Sequence, residues 1–275
     1  MPYEAYLGRT ETRSDVVSPL LVQGLAATLD LPDPGVELPP LWHWLLFQPY
    51  APASSLGPDG HPRRGGFMPP VDDLPRRMWA GGEVAFLAPL HVGEPVTRTS
   101  TITAIEEIFG GSGRLVFVTV RHEIAGERGP AIGETHDIVY RGSDGAAVKP
   151  AAAAPPLPTD ALTRRIWPDT VLLFRYSALT ANGHRIHYDQ DYATRVENYP
   201  GLVVHGPLQV TLLTALAREA AGGARPARVT YRGRRPAFHD RELTLAAIRD
   251  GRHVRMQSRD DGGAVCMEGH VYFDA

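Results

Sequence analysis

The same order of elements appears twice along the 275-residue chain, on either side of a segment rich in proline and alanine. In each half, an apolar helical pattern precedes four segments that favour β-strands by alternation or by β-branched composition. The intervening "GSDGAAVKPAAAAPPLPTD" indicates a semi-rigid linker, because proline lacks a backbone N–H and has a fixed φ. We predict an α+β fold with units at residues 1–143 and 161–275 and a linker at residues 144–160.

In the first half, we expect a helix capped by Ser14 or Asp15, with Pro19 in its first turn. Its apolar stripe is Val17, Leu20, Leu21, Gly24, Leu25 and Leu29. Strands are expected at residues 83–87, 96–105, 115–124 and 136–141.

In the second half, the stretch that begins at Gly206 predicts an apolar helix, and Gly222 with Gly223 ends it. One face of this helix carries Leu208, Leu212, Leu213, Leu216 and Ala217. Strands are expected at residues 227–232, 243–249, 253–258 and 264–273. "EVAFLAPLHVGEPV" aligns with "RVTYRGRRPAFHDREL", and "GETHDIVY" with "CMEGHVYF", which favours a tandem duplication.

Composition excludes several classes of function. With 28 basic and 31 acidic side chains, the net charge is −3, and nothing favours nucleic-acid or membrane-surface binding. The single cysteine, Cys266, rules out an intramolecular disulfide and indicates a small core residue. We find no long apolar run and no signal-peptide pattern, so the expected location is cytoplasmic.

The stretch "ANGHRIHYD" has three interpretations. In the first, His184, His187 and His205 bind zinc; the chain offers no HExxH motif or cysteine pair, so we expect no metal site. In the second, Asn182-Gly183 is a turn in a polar loop, where Asp189 and nearby tyrosines only cap and pack.

The third interpretation is acid–base catalysis. His187 can exchange a proton near neutral pH, whereas the Asn182 amide can only orient a water molecule or a carbonyl. Gly206 starts the apolar helix, where free N–H groups stabilise a developing negative charge. A base next to an oxyanion site is the arrangement that enolate chemistry requires.

The stretches "FRYSALT", "TANGHRIHYD" and "YPGLVVHGPL" together resemble the signature of MaoC-like enoyl-thioester hydratases, which have the hotdog fold. The branch with mitochondrial hydroxyacyl-thioester dehydratase type 2 and the mesaconyl-CoA and itaconyl-CoA hydratases is most similar. "GRTETRSD" and "LPRRMWAGGEVAFLAPLHVGEPVTRTSTI" extend the resemblance over nearly the whole chain. It implies a double hotdog, each unit a long helix wrapped by an antiparallel sheet, with the active-site loop in the second unit alone.

The resemblance implies roles residue by residue. His187 matches the catalytic histidine, and Gly206 matches the glycine whose N–H binds the thioester oxygen. Asn182 stands where the wider family has its catalytic aspartate, His184 where it has asparagine, and Arg185 where it has proline. Without that aspartate, either His187 carries both proton transfers, or His184 or another residue joins it in catalysis. The implied activity is reversible hydration of an α,β-unsaturated acyl thioester, without a cofactor. A thioesterase and a non-catalytic acyl-thioester binder remain the alternatives.

Further predictions concern the substrate, an acyl-CoA or acyl-carrier-protein thioester. The predicted phosphate contacts are Arg232, Arg234 and Arg235, and other predicted substrate contacts are Arg185, Tyr188 and His205. Among the aromatic and Met side chains Trp42, Trp44, Phe47, Phe67, Met68 and Trp79, we expect most in the core and some along an acyl pocket. The resemblance leaves both a monomer and a homodimer open.

Overall fold

The computed structural model describes residues 3–110, 113–142 and 152–274. Within them, the α-helices are α1 (Pro19–Thr28), α2 (Thr170–Leu179) and α3 (Gly206–Ala220). The strands are β1 (Thr10–Val16), β2 (Arg76–Phe86), β3 (Pro95–Gly110), β4 (Gly113–Gly126), β5 (Gly129–Arg141), β6 (Leu162–Ile166), β7 (Pro226–Gly233), β8 (Leu243–Asp250), β9 (His253–Arg259) and β10 (Val265–Phe273). None of the helices in these ranges is long and apolar enough to cross a membrane.

One antiparallel sheet contains all these strands, in the order β1-β3-β4-β5-β2-β7-β10-β9-β8-β6. The two halves of this sheet have equivalent strand orders. From one edge to the centre the strands are β1, β3, β4, β5 and β2, and from the other edge to the centre they are β6, β8, β9, β10 and β7. At the centre, β2 pairs with β7, and Val84 lies opposite Val229. The sequence alignment of the two halves matches the same two valines. The topology therefore has two equivalent units in one continuous sheet, which is the double hotdog that the family resemblance implies.

Alternation of buried and exposed side chains explains why these segments form strands. On β4, Val116, Val118 and Val120 are buried, whereas Arg121 and Glu123 on the other face are exposed. The eight predicted strands are confirmed, and several begin earlier than expected. The edge strands β1 and β6 were not predicted, because an edge strand exposed to water carries polar residues at most positions.

Helix α3 packs against β8 and β9 and is the main buried helix of the second unit. Its predicted face is confirmed: Leu208, Leu213, Leu216 and Ala217 are fully buried, and Leu212 packs against the core. Gly222 and Gly223 follow the helix with positive φ values, as a glycine stop requires.

The predicted start of the first helix is wrong. Ser14 and Asp15 lie on β1, and the N-cap of α1 is Ser18, whose hydroxyl accepts a hydrogen bond from the Leu21 N–H at 3.4 Å. Pro19 takes the first helical position, where its missing N–H costs nothing. Leu20 is 76% exposed, so the predicted stripe is only partly buried.

The two units differ in their helices. The long helix expected in each unit is α3 in the second, with 15 residues, whereas α1 in the first has 10. Between residues 29 and 75, the described chain forms no α-helix, only isolated β-bridges and short 3-10 turns such as Trp42–Leu45 and Ala53–Ser55. Recurrent proline explains this, because proline in a helix interior removes a hydrogen bond and clashes with the preceding turn.

The predicted linker falls partly outside the described residues, because residues 143–151 are not described. Its remainder lies along the second unit: the Ala154 N–H donates to Gly263 O at 2.9 Å, and the Arg259 guanidinium donates to Pro155 O at 2.8 Å. The exact unit boundaries at residues 143 and 161 remain a prediction.

Replacement of Leu213 by alanine is expected to lower the free energy of unfolding by about 2–5 kcal/mol, because it leaves a cavity under the sheet. Chemical denaturation measures this change. Leu20→Ala on α1 is the control, since that side chain is exposed, and its expected effect is within about 0.5 kcal/mol. Equal losses for both variants would contradict the assigned core.

Candidate active site

The His187 ring is held in one orientation. It lies on a 3-10 turn, Arg185–His187, shortly after α2, and its Nδ1 is 2.7 Å from Val203 O. A carbonyl oxygen only accepts hydrogen bonds, so Nδ1 carries the proton and Nε2 holds a free lone pair. His187 also lines the large cavity of the protein. The ring is therefore positioned as a base.

Burial sets the charge of this base. Removal from water lowers the pKa of His187 to about 4, despite the opposing effect of the hydrogen bond to Val203 O. His187 is thus neutral at physiological pH and able to accept a proton.

His205 lies behind His187 rather than in the cavity. The two rings stack with centroids 3.7 Å apart, and His205 Nε2 is 2.8 Å from Ser177 Oγ on α2. His205 is completely buried and does not line the cavity. The prediction that His205 contacts the substrate is therefore corrected: its ring supports His187 from behind.

The loop before His187 is folded by its own side chains. Asn182 Oδ1 accepts a hydrogen bond from the His184 N–H at 3.0 Å, which closes the turn after α2. Asn182 and His184 both line the cavity. The His184 ring is edge-on to the His187 ring, with centroids 5.5 Å apart. Burial and the neighbouring histidines lower the pKa of His184, so this ring is also neutral.

Gly206 begins α3 and lines the cavity beside these histidines. The first N–H groups of a helix have no acceptor within the helix, so they are available to a substrate oxygen. A Cβ on Gly206 would lie 2.7 Å from the Trp79 ring of β2. Glycine at this position therefore lets the aromatic wall of the first unit approach the helix terminus.

The residues after His184 mainly stabilise the loop. Arg185 donates to Asp189 at 2.7 Å, and the exposed Tyr188 donates from its hydroxyl to Gly183 O at 3.0 Å. Asp189 Oδ1 accepts from the Tyr192 N–H at 3.0 Å, which confirms the capping role expected for this aspartate. Tyr188 lines the cavity, so its predicted substrate contact stays a prediction; Arg185 faces its ion pair instead.

The cavity has a volume of about 1990 Å³ and is lined by both units. Of the three predicted phosphate contacts, Arg234 and Arg235 line it, and Arg232 on β7 is exposed outside it. Arg234 donates to Glu268 at 2.8 Å, so its charge is partly neutralised.

The predicted aromatic and Met side chains lie partly in the core and partly along the cavity. Trp44 and Trp79 line the cavity, while Trp42 is buried in the core. Phe47 is 5% exposed and also borders the cavity. Phe67 and Met68 pack against a separate core cluster in the first unit.

Two polar groups of the first unit were not predicted from the sequence. Asp59 and His61 come from the proline-rich segment before β2 and meet His184 in the cavity wall. Glu134 on β5 accepts from Trp44 Nε1 at 2.7 Å and pairs with His136 at 2.6 Å. The sequence gives little sign of either group, because Trp44 and His184, which lie next to them in the cavity wall, are distant along the chain.

The set Asp59, His61 and His184 has the chemistry of a metal site, and its ligand atoms lie within 4.8 Å of one another. It is a different set from the His184, His187 and His205 considered from sequence. Burial lowers the pKa of His61, and the positive charges of Arg77 and Arg64 lower it further, so this ring is neutral at physiological pH. The neutral rings of His61 and His184 each keep one nitrogen that can accept a hydrogen bond from water.

Comparison with known proteins shows the family of the chain. The profile of the hydroxyacyl-thioester dehydratase type 2 family matches residues 41–239. The chain is 43% identical over 272 residues to mesaconyl-C(4)-CoA hydratase of Chloroflexus aurantiacus, covering 97% of this chain and 96% of that protein.

Solved structures show the same fold. A MaoC-like dehydratase superposes with a TM-score of 0.72 at 16% identity, covering 98% of this chain and 99% of its own. A Mycobacterium tuberculosis protein described as a double hotdog gives a TM-score of 0.58 at 12% identity, with 97% and 96% covered. The family match spans most of the chain and includes the histidine loop, so this protein belongs to the hydroxyacyl-thioester dehydratase type 2 family.

Proposed function

We propose that this chain is a hydro-lyase that reversibly adds water across the α,β double bond of an acyl thioester. The observation that carries the proposal is the His187 ring, whose proton is fixed on Nδ1 by Val203 O and whose Nε2 is left as a base. The start of α3 at Gly206 lines the same cavity and offers N–H groups for an oxyanion.

In the hydration direction, the thioester oxygen accepts a hydrogen bond from the Gly206 N–H. His187 Nε2 takes one proton from water, the water oxygen bonds to the β-carbon, and the π electrons move to form an enolate. The protonated His187 then returns the proton to the α-carbon, which restores the thioester and the neutral ring. Dehydration of a 3-hydroxyacyl thioester follows the same steps in reverse.

The acyl group is carried by CoA or by a carrier protein, and in both cases the thioester is at the end of a phosphorylated arm. Arg234 and Arg235 line the same cavity as the start of α3, which supports a phosphate-binding role for this pair. A cytoplasmic location and a homodimer remain predictions.

The acyl group we propose carries a free carboxylate, as in a mesaconyl thioester. Arg77 on β2 lines the cavity close to His61 and His184: burial lowers the pKa of both rings, and the charge of Arg77 lowers it further. A substrate carboxylate beside Arg77 would form a charge-assisted hydrogen bond in a partly dehydrated place.

Replacement of His187 by alanine is expected to lower kcat on mesaconyl-CoA by about 10²–10⁴-fold, because the base is removed, with a much smaller change in KM. The loss of enoyl-thioester absorbance measures the rate, and a free-thiol assay separates hydration from thioester hydrolysis. His253→Ala on β9 is the control. Equal loss of binding and turnover would contradict the role of His187.

The acid limb of kcat/KM is expected near pH 4, the pKa of the buried His187, rather than near 6.5. The rate falls as the pH falls through this value, because the protonated ring cannot accept a proton. A crotonyl N-acetylcysteamine thioester suits the measurement, since it contains no titrating phosphate or carboxylate. A limb near pH 6.5 would show that the ring is hydrated in solution.

Replacement of Arg77 by methionine is expected to reduce kcat/KM for mesaconyl-CoA by about 10–100-fold, the value of one charge-assisted hydrogen bond. Crotonyl-CoA, which has no free carboxylate, should be hydrated at the wild-type rate. Arg121→Met, on an exposed position of β4, is the control. An equal loss with both substrates would exclude carboxylate recognition by Arg77.

A further inference from the structure

A turn of the first unit is docked directly on the active-site loop of the second. A Cβ on Gly60 would lie 1.9 Å from Gly183 O, so the two backbones touch at a place where only glycine fits. Arg185 fixes the contact twice: its N–H donates to Asp59 O at 2.9 Å, and its guanidinium donates to Pro58 O at 3.0 Å. The side chains of this turn are therefore held in the catalytic cavity.

Asp59 and His61 form a hydrogen-bonded pair on this turn. Asp59 Oδ2 is 3.0 Å from His61 Nδ1, and Asp59 Oδ1 accepts from the His61 N–H at 3.1 Å. Although burial raises the pKa of Asp59, its hydrogen bonds and charge interaction with His61 lower it well below the usual range. The carboxylate is therefore ionised and only accepts, which places the proton of His61 on Nδ1 and leaves Nε2 free.

The pair continues toward the catalytic histidine. The ring centroids of His61 and His184 are 4.3 Å apart, and those of His184 and His187 are 5.5 Å apart. Polar atoms of Asp59, His61 and His184 lie within 4.8 Å of one another, a separation that one water molecule can bridge. The three side chains line the same cavity as His187.

We propose that Asp59 and His61, together with His184, replace the carboxylate that the loop lacks at Asn182: they hold and orient the water molecule that His187 deprotonates. His184 contacts this water, while Asp59 and His61 are positioning residues that fix the hydrogen-bonding direction. The inference rests on the proposed hydration reaction.

The charge of Asp59 and the hydrogen-bonding capacity of His61 favour this arrangement over one in which Asn182 alone orients the water. Asn182 cannot supply a negative charge, and its Oδ1 is already used by the His184 N–H. Asp59 supplies a negative charge next to His61, where it opposes the effect of Arg77 and Arg64 on the pKa of the ring. A neutral His61 with a fixed tautomer can accept from a water or from His184, and a fixed acceptor reduces the reorganisation needed at the moment of attack.

The test is Asp59→Asn, which keeps the Oδ1 acceptor of the turn and removes the charge. With mesaconyl-CoA, we expect kcat to fall on the order of 10²-fold, while KM and the melting temperature change little. His61→Gln should have a similar effect, and Asp59→Glu should recover part of the lost kcat. Asp72→Asn, an exposed aspartate on the same segment, is the matched control and should behave as wild type.

A double variant distinguishes positioning of the water molecule from a merely structural role. If Asp59 acts through the water held by His184, Asp59→Asn combined with His184→Asn should lose little more kcat than the more damaging single change. Additive losses, an unchanged kcat, or losses that appear only in KM and melting temperature would each overturn the inference while the hydratase proposal stands. A wild type that hydrates neither mesaconyl-CoA nor crotonyl-CoA would overturn both.

Discussion

The pairing of β2 with β7 is the interaction on which the rest of the molecule depends. It joins two equivalent five-stranded sheets and brings the polar connections of both units to one cavity. Because β2 carries Trp79 against Gly206, the helix start of the second unit is covered by a side chain of the first. The first unit, which has no long helix among its described residues, contributes cavity wall and polar groups where the second contributes the loop and α3.

Burial of the active-site histidines is the second constraint on the site, because it sets their charge. The rings of His187, His205 and His184 lie close together, and burial lowers the pKa of each, so all three are neutral. Neutral rings can stack and exchange hydrogen bonds without repulsion, which positively charged rings could not. The result is a base that is available at physiological pH, at the cost of weak basicity. An oxyanion site at a helix start compensates by stabilising the enolate that this weak base must help to form.

Much of the fold was predictable because its causes are local. Alternation along β4 and the apolar face of α3 follow from periodicity, and the glycines after α3 mark its end. The start of α1 was misplaced because Ser14 and Asp15 are also good N-cap residues, and only pairing with β3 makes that stretch a strand. The shorter helix of the first unit is readable from its prolines once the two halves are compared.

The sequence by itself determined the strands and α3, because periodicity depends on residues close together in the chain, and the repeated order of elements showed the two-unit plan. It also singled out the loop with His187, and Gly206, as the candidate site. Only the tertiary structure decided that His205 lies behind His187 and that Asp59 and His61 lie beside His184. These contacts join residues from different elements, and in the second case from different units. No local pattern encodes them; they exist because the continuous sheet and the docked turn bring distant segments into one cavity.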